Sequence, residues 1–234
     1  PSRAVAIRDH LSEVARELTE ATEDPAQSQS NTQRPIYILA GFGPFPGVPE
    51  NPTQSIAREA AGRLAHLDVQ VVDLPTVFEE AWPTLLHSIQ QHQDRLAAVF
   101  VLGVASKRDH IDVETVAFNR QCTDRPDASG KPASSQKIIV GGPAACEVRF
   151  DAQALVTSLR QGGHQIRTSC DAGDYLCNQV FYRTLIWQRQ TGFAGGAGFV
   201  HVPPPSSLSA GSSADAIAGL LDLISAATPD TADV

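Results

Sequence analysis

Cys177 is the residue whose type and surroundings most directly suggest chemistry. It follows a turn of small residues, Asp171, Ala172 and Gly173, and apolar residues recur after it at helical spacing. The pattern predicts a helix that begins near residues 173–175 and carries Cys177 in its first turn. Unpaired backbone N–H groups and the helix dipole favour a thiolate there, which is the nucleophilic form of cysteine. The alternative interpretation is a buried cysteine that packs as a small hydrophobic residue.

A cysteine nucleophile needs a base, and His201 is the candidate. Residues 199–202 predict a short buried strand after a glycine-rich loop. His201 therefore lies near the carboxyl end of a strand, where open α/β sheets place their binding and catalytic groups. Glu114, in an alternating segment, is predicted to hold the imidazole in its active tautomer, and Asp127 is the alternative. The interpretations without chemistry are a histidine that only packs in the core and a solvated strand glutamate.

Strands and helices alternate along the part of the chain that must position these residues. Strands are predicted at residues 36–40, 69–74, 96–102 and 165–168, and helices at 53–67, 79–92, 151–161 and 213–226. Residues 110–119 predict an antiparallel or edge strand, and residues 120–148 a long loop with a short strand near 138–140. This alternation predicts an α/β fold of three layers, with helices on both faces of a mostly parallel, mixed sheet.

The first part of the chain has a different character. Residues 3–21 are amphipathic and predict a helix, whereas residues 23–34 are polar and lack periodicity. We therefore divide the chain into an N-terminal helix with a flexible linker, residues 1–34, and an α/β domain, residues 35–234.

Composition excludes several classes of function. The net charge of −8 argues against a nucleic-acid or anionic-membrane partner, because both need a basic face. No apolar run approaches the roughly 20 residues of a membrane span. The four cysteines form no Cys-x-x-Cys pair, so we predict no metal site. Few cysteines in a chain of this length fit a reducing compartment, so we predict a cytoplasmic protein.

Two glycines after the first strand are also compatible with a nucleotide-binding loop. Gly41 and Gly43 could open a dinucleotide loop, but Pro46 occupies the third glycine position and no acidic residue follows at the expected distance. We therefore predict no bound cofactor. Asn51 and Pro52 are suited to the N-cap and first position of the helix that follows.

Five motifs in a fixed order resemble the pyroglutamyl peptidase I family, also called pyrrolidone-carboxylate peptidases. They are GFGPF at residues 41–45, Asn51-Pro52, ETVAFN beginning at Glu114, DAGDYLCN at residues 171–178 and FVHVP at residues 199–203. The resemblance extends from about residue 36 to the last helix, and the N-terminal helix lies outside it.

The resemblance implies a cysteine peptidase that removes an N-terminal pyroglutamyl residue from peptides. Cys177 would attack the carbonyl, His201 would move the proton and Glu114 would orient His201. The pyroglutamyl ring is a neutral lactam with apolar faces, so its site needs flat apolar walls and a few amide groups. By resemblance, five residues would form this site: Phe42, Phe45, Asn51, the backbone of Val104, and Leu176.

The chain also departs from the family pattern. Residues 104–108 replace a glycine-rich segment found in many bacterial members, and Asp124 stands where some of them carry an arginine, with Arg125 beside it. The groups that stabilise the oxyanion are therefore the least defined part of the site. A catalytically weak homologue that acts as a binding or assembly module is the alternative function. The sequence is compatible with a homo-oligomer.

Overall fold

The computed structural model describes residues 34–227, which contain eight strands and five helices. The strands are β1 Ile36–Phe42, β2 Asp68–Leu74, β3 Leu96–Val104, β4 Ile111–Glu114, β5 Val116–Phe118, β6 Ala145–Glu147, β7 Ile166–Ser169 and β8 Gly196–Val202. The helices are α1 Thr53–Arg63, α2 Ala81–Gln91, α3 Ala152–Gln161, α4 Leu176–Thr191 and α5 Ala210–Ala227. The predicted helix at residues 3–21 and nearly all of the predicted linker lie outside the described residues.

Six strands form one mixed sheet in the order β2-β1-β3-β8-β4-β7. Neighbouring strands are parallel except β4 and β8, which are antiparallel. Helices α1, α3 and α5 pack on one face, and α2 and α4 pack on the other. The predicted α/β fold with three layers is thus confirmed.

The central strands are nearly continuous apolar runs because both faces of the sheet are covered. All seven residues of β1 are buried, and its side chains divide alternately between the two cores. The same alternation along β8 directs Val200 and Val202 to one face and Phe199 and His201 to the other. The sheet thereby places His201 on the face covered by α4.

The predicted single strand at residues 110–119 is wrong in two respects. The segment divides at Thr115, and β5 leaves the main sheet to pair with β6. The first part, β4, is antiparallel to β8 as predicted, but it lies inside the sheet between β8 and β7. The alternative interpretation of Glu114 as a solvated strand residue is wrong, because its side chain is completely buried and paired with Arg108. Asp112, two residues earlier, is likewise buried and paired with Arg108.

Two smaller predictions also need correction. The short strand expected near residues 138–140 is absent there, where the Ile139 N–H is donated to the Asn119 side chain; the strand β6 forms at residues 145–147. Helix α1 ends at Arg63, and its N-cap position is Pro52. Asn51 nevertheless accepts the Thr53 N–H at 3.2 Å, so it still satisfies a donor of the first turn.

The helices of the described chain carry no membrane signature. None of those within residues 34–227 is both long and apolar enough to cross a bilayer.

Candidate active site

Cys177 is the second residue of α4 and lies in its first turn, as the sequence predicts. The chain reaches this helix through residues 171–175, where Gly173 has a φ of +77°, a conformation that glycine adopts without strain. The thiol is half-buried. Its position is at the helix N-terminus, where backbone N–H groups lack partners within the helix.

His201 and Glu114 are in direct contact. Nδ1 of His201 lies 2.7 Å from Oε1 of Glu114, and both side chains are buried. The contact follows from the register of the antiparallel pair, in which His201 is opposite Asp112 and Glu114 is opposite Phe199. His201 and Glu114 are therefore diagonal neighbours on one face of the sheet, within reach of long side chains.

The Cys177 thiol lies close to a glycine, Gly103, of the sheet that carries His201 and Glu114. Gly103 of β3 is the partner of His201 across the parallel pair of β3 and β8. A Cβ atom added to Gly103 would lie 2.9 Å from Sγ of Cys177 and 2.7 Å from the Phe199 ring. Only glycine leaves room for the sulfur here, beside the His201 side chain with which it lines one cleft.

The environment favours a charged imidazole and a charged carboxylate. Burial alone would lower the pKa of His201, but hydrogen bonds to Cys177 and Glu114 outweigh burial and raise the pKa to about 9. Burial alone would likewise raise the pKa of Glu114, but the hydrogen bond and charge of His201 lower it from its usual value. The arrangement can therefore support an imidazolium next to a cysteine nucleophile.

Cys177 and His201 open onto a cleft with a volume of about 390 Å³. Phe45, Val104 and Tyr175 also line it, together with Arg125 and residues 105–108 and 171–174. Two of the five predicted ring-binding residues, Phe45 and Val104, are thus brought to the predicted nucleophile.

The other three predicted ring-binding residues do not line this cleft. The side chains of Phe42 and Leu176 are only 2% and 1% exposed. The Asn51 amide is occupied within its own loop, donating to the Gly43 carbonyl at 3.0 Å and accepting from the Thr53 hydroxyl at 2.9 Å.

Comparison with known proteins identifies the family. The model of the pyroglutamyl peptidase family matches residues 36–216. The chain belongs to this family.

Individual relatives support the same family assignment. The pyrrolidone-carboxylate peptidase of Halalkalibacterium halodurans is 37% identical over 177 residues, which cover 75% of this chain and 87% of the relative. That of Pyrococcus furiosus is 32% identical over 168 residues, covering 71% and 79%.

A mutant pyrrolidone carboxyl peptidase from Pyrococcus furiosus superposes with a TM-score of 0.75 at 26% identity, covering 82% of this chain and 99% of that one. Pyroglutamyl peptidase I from Bacillus amyloliquefaciens gives 0.73 at 26% identity, covering 80% and 94%. The predicted family is therefore confirmed, and the protein is a hydrolase of the cysteine-type omega peptidases.

Asp127, the alternative partner of His201, is engaged elsewhere in this pyroglutamyl peptidase family member. One of its oxygens accepts the Phe78 N–H at 2.9 Å, and the other accepts the N–H and hydroxyl of Ser129. Glu114 is the carboxylate that contacts His201.

Two residues at the site were not found from the sequence. The Tyr175 ring lies 5.9 Å from Phe45 and 5.3 Å from Phe78, so it forms an aromatic side of the cleft. Its place beside Cys177 in the sequence was the available signal. Arg108 contacts Glu114 at 2.7 Å, and no sequence pattern predicts that contact.

Metal ligation has no visible support in the described region. Between residues 34 and 227, no three or more His, Cys, Asp or Glu side chains are grouped so that they could hold a metal ion. The absence of a metal or cofactor stays a prediction.

Proposed function

We propose that this enzyme removes an N-terminal pyroglutamyl residue from peptides, with Cys177 as nucleophile, His201 as base and acid, and Glu114 as the residue that orients His201. The observation that carries the proposal is the contact of Glu114 with His201 at 2.7 Å, beside a thiol in the first turn of a helix. Relatives of similar length are named pyrrolidone-carboxylate peptidases, which supports the substrate class.

The reaction would proceed through a thioester. Cys177 transfers its proton to His201, and Sγ attacks the carbonyl carbon of the pyroglutamyl residue. The N–H groups at the start of α4 have no partners within the helix and would stabilise the oxyanion. The imidazolium then protonates the leaving amine. His201 next takes a proton from water, whose oxygen attacks the thioester and releases pyroglutamate and the free thiol.

The ring would be held by apolar walls. Phe45, Val104 and Tyr175 lie on the cleft beside the thiol, and they offer apolar and aromatic surface to a neutral lactam. Phe42, Asn51 and Leu176 remain predicted parts of the ring site. Because Phe42 and Leu176 are almost fully buried, they would touch the ring only after neighbouring side chains move.

The test compares kcat/KM for a pyroglutamyl-linked fluorogenic amide with that for the matched glutamyl amide. We expect hydrolysis of the first and almost none of the second. The glutamyl compound carries an ammonium and a carboxylate, which would be desolvated without partners. Cys177→Ser should abolish hydrolysis, whereas Cys122→Ser and Cys170→Ser, the controls, should retain most of it.

Two results would contradict the proposal. Similar kcat/KM values for the two amides would exclude the ring site, and full activity in Cys177→Ser would exclude the nucleophile. A well-folded protein that hydrolyses neither amide would favour the alternative of a catalytically weak binding or assembly module. A cytoplasmic location and a homo-oligomeric state stay predictions.

A further inference from the structure

Arg108 connects two parts of the site that are separate in the sequence, the strand β4 and the segment before α4. Its Nη1 atom lies 2.7 Å from Oε1 of Glu114 and 2.7 Å from Oδ2 of Asp112. Its Nη2 atom donates to the backbone carbonyl of Asp171 at 2.7 Å. The guanidinium side chain is only 23% exposed, so these contacts are made largely away from water.

The positive charge of Arg108 offsets the repulsion between the carboxylates of Asp112 and Glu114. Asp112 and Glu114 are two residues apart on β4, so their side chains lie on the same face of the sheet, and both are completely buried. Neighbouring buried carboxylates repel each other and are difficult to keep ionised together. Asp112 has two further cationic or titratable neighbours, Arg167 at 2.8 Å and His110 at 3.3 Å. For Glu114 the corresponding neighbours are His201 and Arg108.

The contact with Asp171 extends the connection to the nucleophile. Asp171 begins the segment that leads through Gly173 into α4, and Cys177 is the second residue of that helix. Arg108 thus contacts both Glu114, the partner of His201, and the segment before Cys177 through one rigid, planar guanidinium group.

We propose that Arg108 is a positioning residue: its guanidinium fixes Glu114 against His201 and fixes the segment that carries Cys177, so that the thiol and imidazole keep their relative placement. This inference rests on the proposed function. Arg108 itself need not touch the substrate.

The proposal predicts a change in pH dependence that a purely structural role does not. A nearby cation favours an ionised carboxylate and disfavours an imidazolium, so its removal raises the pKa of Glu114 and of His201 together. Other charged or titratable groups surround them: Asp112, His110, Asp109, Arg167, Asp171 and Cys177, and on the cleft Lys107, Arg125, Asp174 and Tyr175. None of these groups is itself altered when Arg108 alone is changed, so the shift reports the loss of the Arg108 charge.

The experiment measures the alkylation rate of Cys177 by iodoacetamide as a function of pH, beside the pH profile of kcat/KM for the pyroglutamyl amide. Arg108→Gln should move both profiles to higher pH by on the order of one unit, because losing a nearby cation disfavours the anionic groups of the site and favours the imidazolium. The maximal kcat/KM should fall by up to about 100-fold, because small misplacements of reacting groups have effects of that size.

Two further variants complete the test. Arg108→Lys keeps the charge but not the planar fork, so the profiles should stay in place while the maximal kcat/KM falls. Arg120→Gln removes an exposed guanidinium that contacts the same residue, Asp171, at 3.4 Å without reaching Glu114. It should change neither the profiles nor the rate.

Each outcome decides the inference. Unshifted profiles in Arg108→Gln, with or without a lower rate, would overturn it, as would wild-type kcat/KM in Arg108→Lys. If Arg108→Gln does not fold, the separate effects on rate and profile in Arg108→Lys decide instead. A shifted alkylation profile in a protein that hydrolyses no pyroglutamyl amide would support the role of Arg108 and reject the proposed substrate.

Discussion

The side chain of Glu114 is completely buried. Its negative charge is the property that matters for the neighbouring His201. Burial would favour the neutral acid, but His201 holds the pKa of Glu114 below its usual value. Glu114 is therefore ionised at neutral pH, and in the proposed mechanism it would stabilise the imidazolium that forms when Cys177 loses its proton. Burial alone would lower the pKa of His201, but the interactions with Cys177 and, next, with Glu114 raise this pKa to about 9.

Replacing this charge by a neutral group of the same shape tests its role. Glu114→Gln should lower kcat/KM for the pyroglutamyl amide by roughly 10²- to 10⁴-fold, as carboxylate removal does in comparable triads. The measurement is steady-state kinetics, with circular dichroism to verify folding. Asp127→Asn is the control and should lower kcat/KM far less, because Asp127 bonds to Phe78 and Ser129 and not to His201. A larger effect at Asp127 than at Glu114 would refute the assignment.

Residue types and their local setting singled out Cys177 and His201 as candidates, and the resemblance to the family added Glu114; their catalytic roles stay predictions. A cysteine at a helix start and a histidine at a strand end each carry a local signal. Arg108 carries none, because its partners Glu114 and Asp171 are six and 63 residues away and meet it only after folding. Charge pairs of this kind depend on strand order, which periodicity does not contain.

Among the elements, β4 and α4 carry the site, and a buried amide ties α4 to the strand after β4. The Asn178 side chain accepts the Phe118 N–H at 3.0 Å and donates to the carbonyls of Phe118 and Arg120 at 2.8 Å each. β5 follows β4 after a single residue, so this link also restrains the strand that bears Glu114. Cys177 and Glu114 are therefore held by elements that are bonded to each other.

The packing of α4 on the sheet depends on Gly103. Gly103→Ala would place a methyl group 2.9 Å from Sγ of Cys177 and 2.7 Å from the Phe199 ring. We expect a loss of about 1–3 kcal/mol of unfolding free energy from overpacking. We expect up to about a 100-fold fall in kcat/KM, because the thiol is displaced.

Urea unfolding and steady-state kinetics measure the two effects of Gly103→Ala. The matched control is Gly62→Ala in α1, where an added Cβ meets nothing within 4 Å. That variant should keep its activity and its stability. Equal activity in the two variants would show that the site tolerates a shift of Cys177.

Element predictions succeeded where local pattern decides and failed where distant partners decide. Within residues 34–227, the long apolar strands and the helices were predicted with boundaries only a few residues off. The long loop was also predicted, but its short strand forms at residues 145–147 and not near 138–140, where Asn119 bonds to the backbone of Ile139. The interpretation of Glu114 as a solvated strand residue failed because its partners, His201 and Arg108, lie outside β4.

At the scale of the whole molecule, alternation along the chain was sufficient to predict three layers. It did not predict that β8, the last strand in the sequence, lies between β3 and β4. That position gives His201 the neighbours Gly103 on one side and Asp112 on the other. The site thus depends on a strand order that only the folded structure displays.

The boundary of the functional unit can be tested by shortening the chain. Every element that positions the site lies within residues 34–227, and the family match begins at residue 36. We expect a protein of residues 34–234 to fold and to retain kcat/KM within about twofold, because it keeps a complete core and sheet. Thermal unfolding and the pyroglutamyl amide assay would measure this.

The matched control for this truncation is a protein that starts at residue 41. It lacks most of β1, whose seven residues are all buried and which pairs with both β2 and β3. Losing this strand removes the interior of the sheet, so we expect no cooperative unfolding transition and no activity. If the protein of residues 34–234 behaved like this control, residues 1–33 would be required for the fold, and the predicted division of the chain would be wrong. If it folded but had lost activity, residues 1–33 would instead contribute to catalysis or substrate binding.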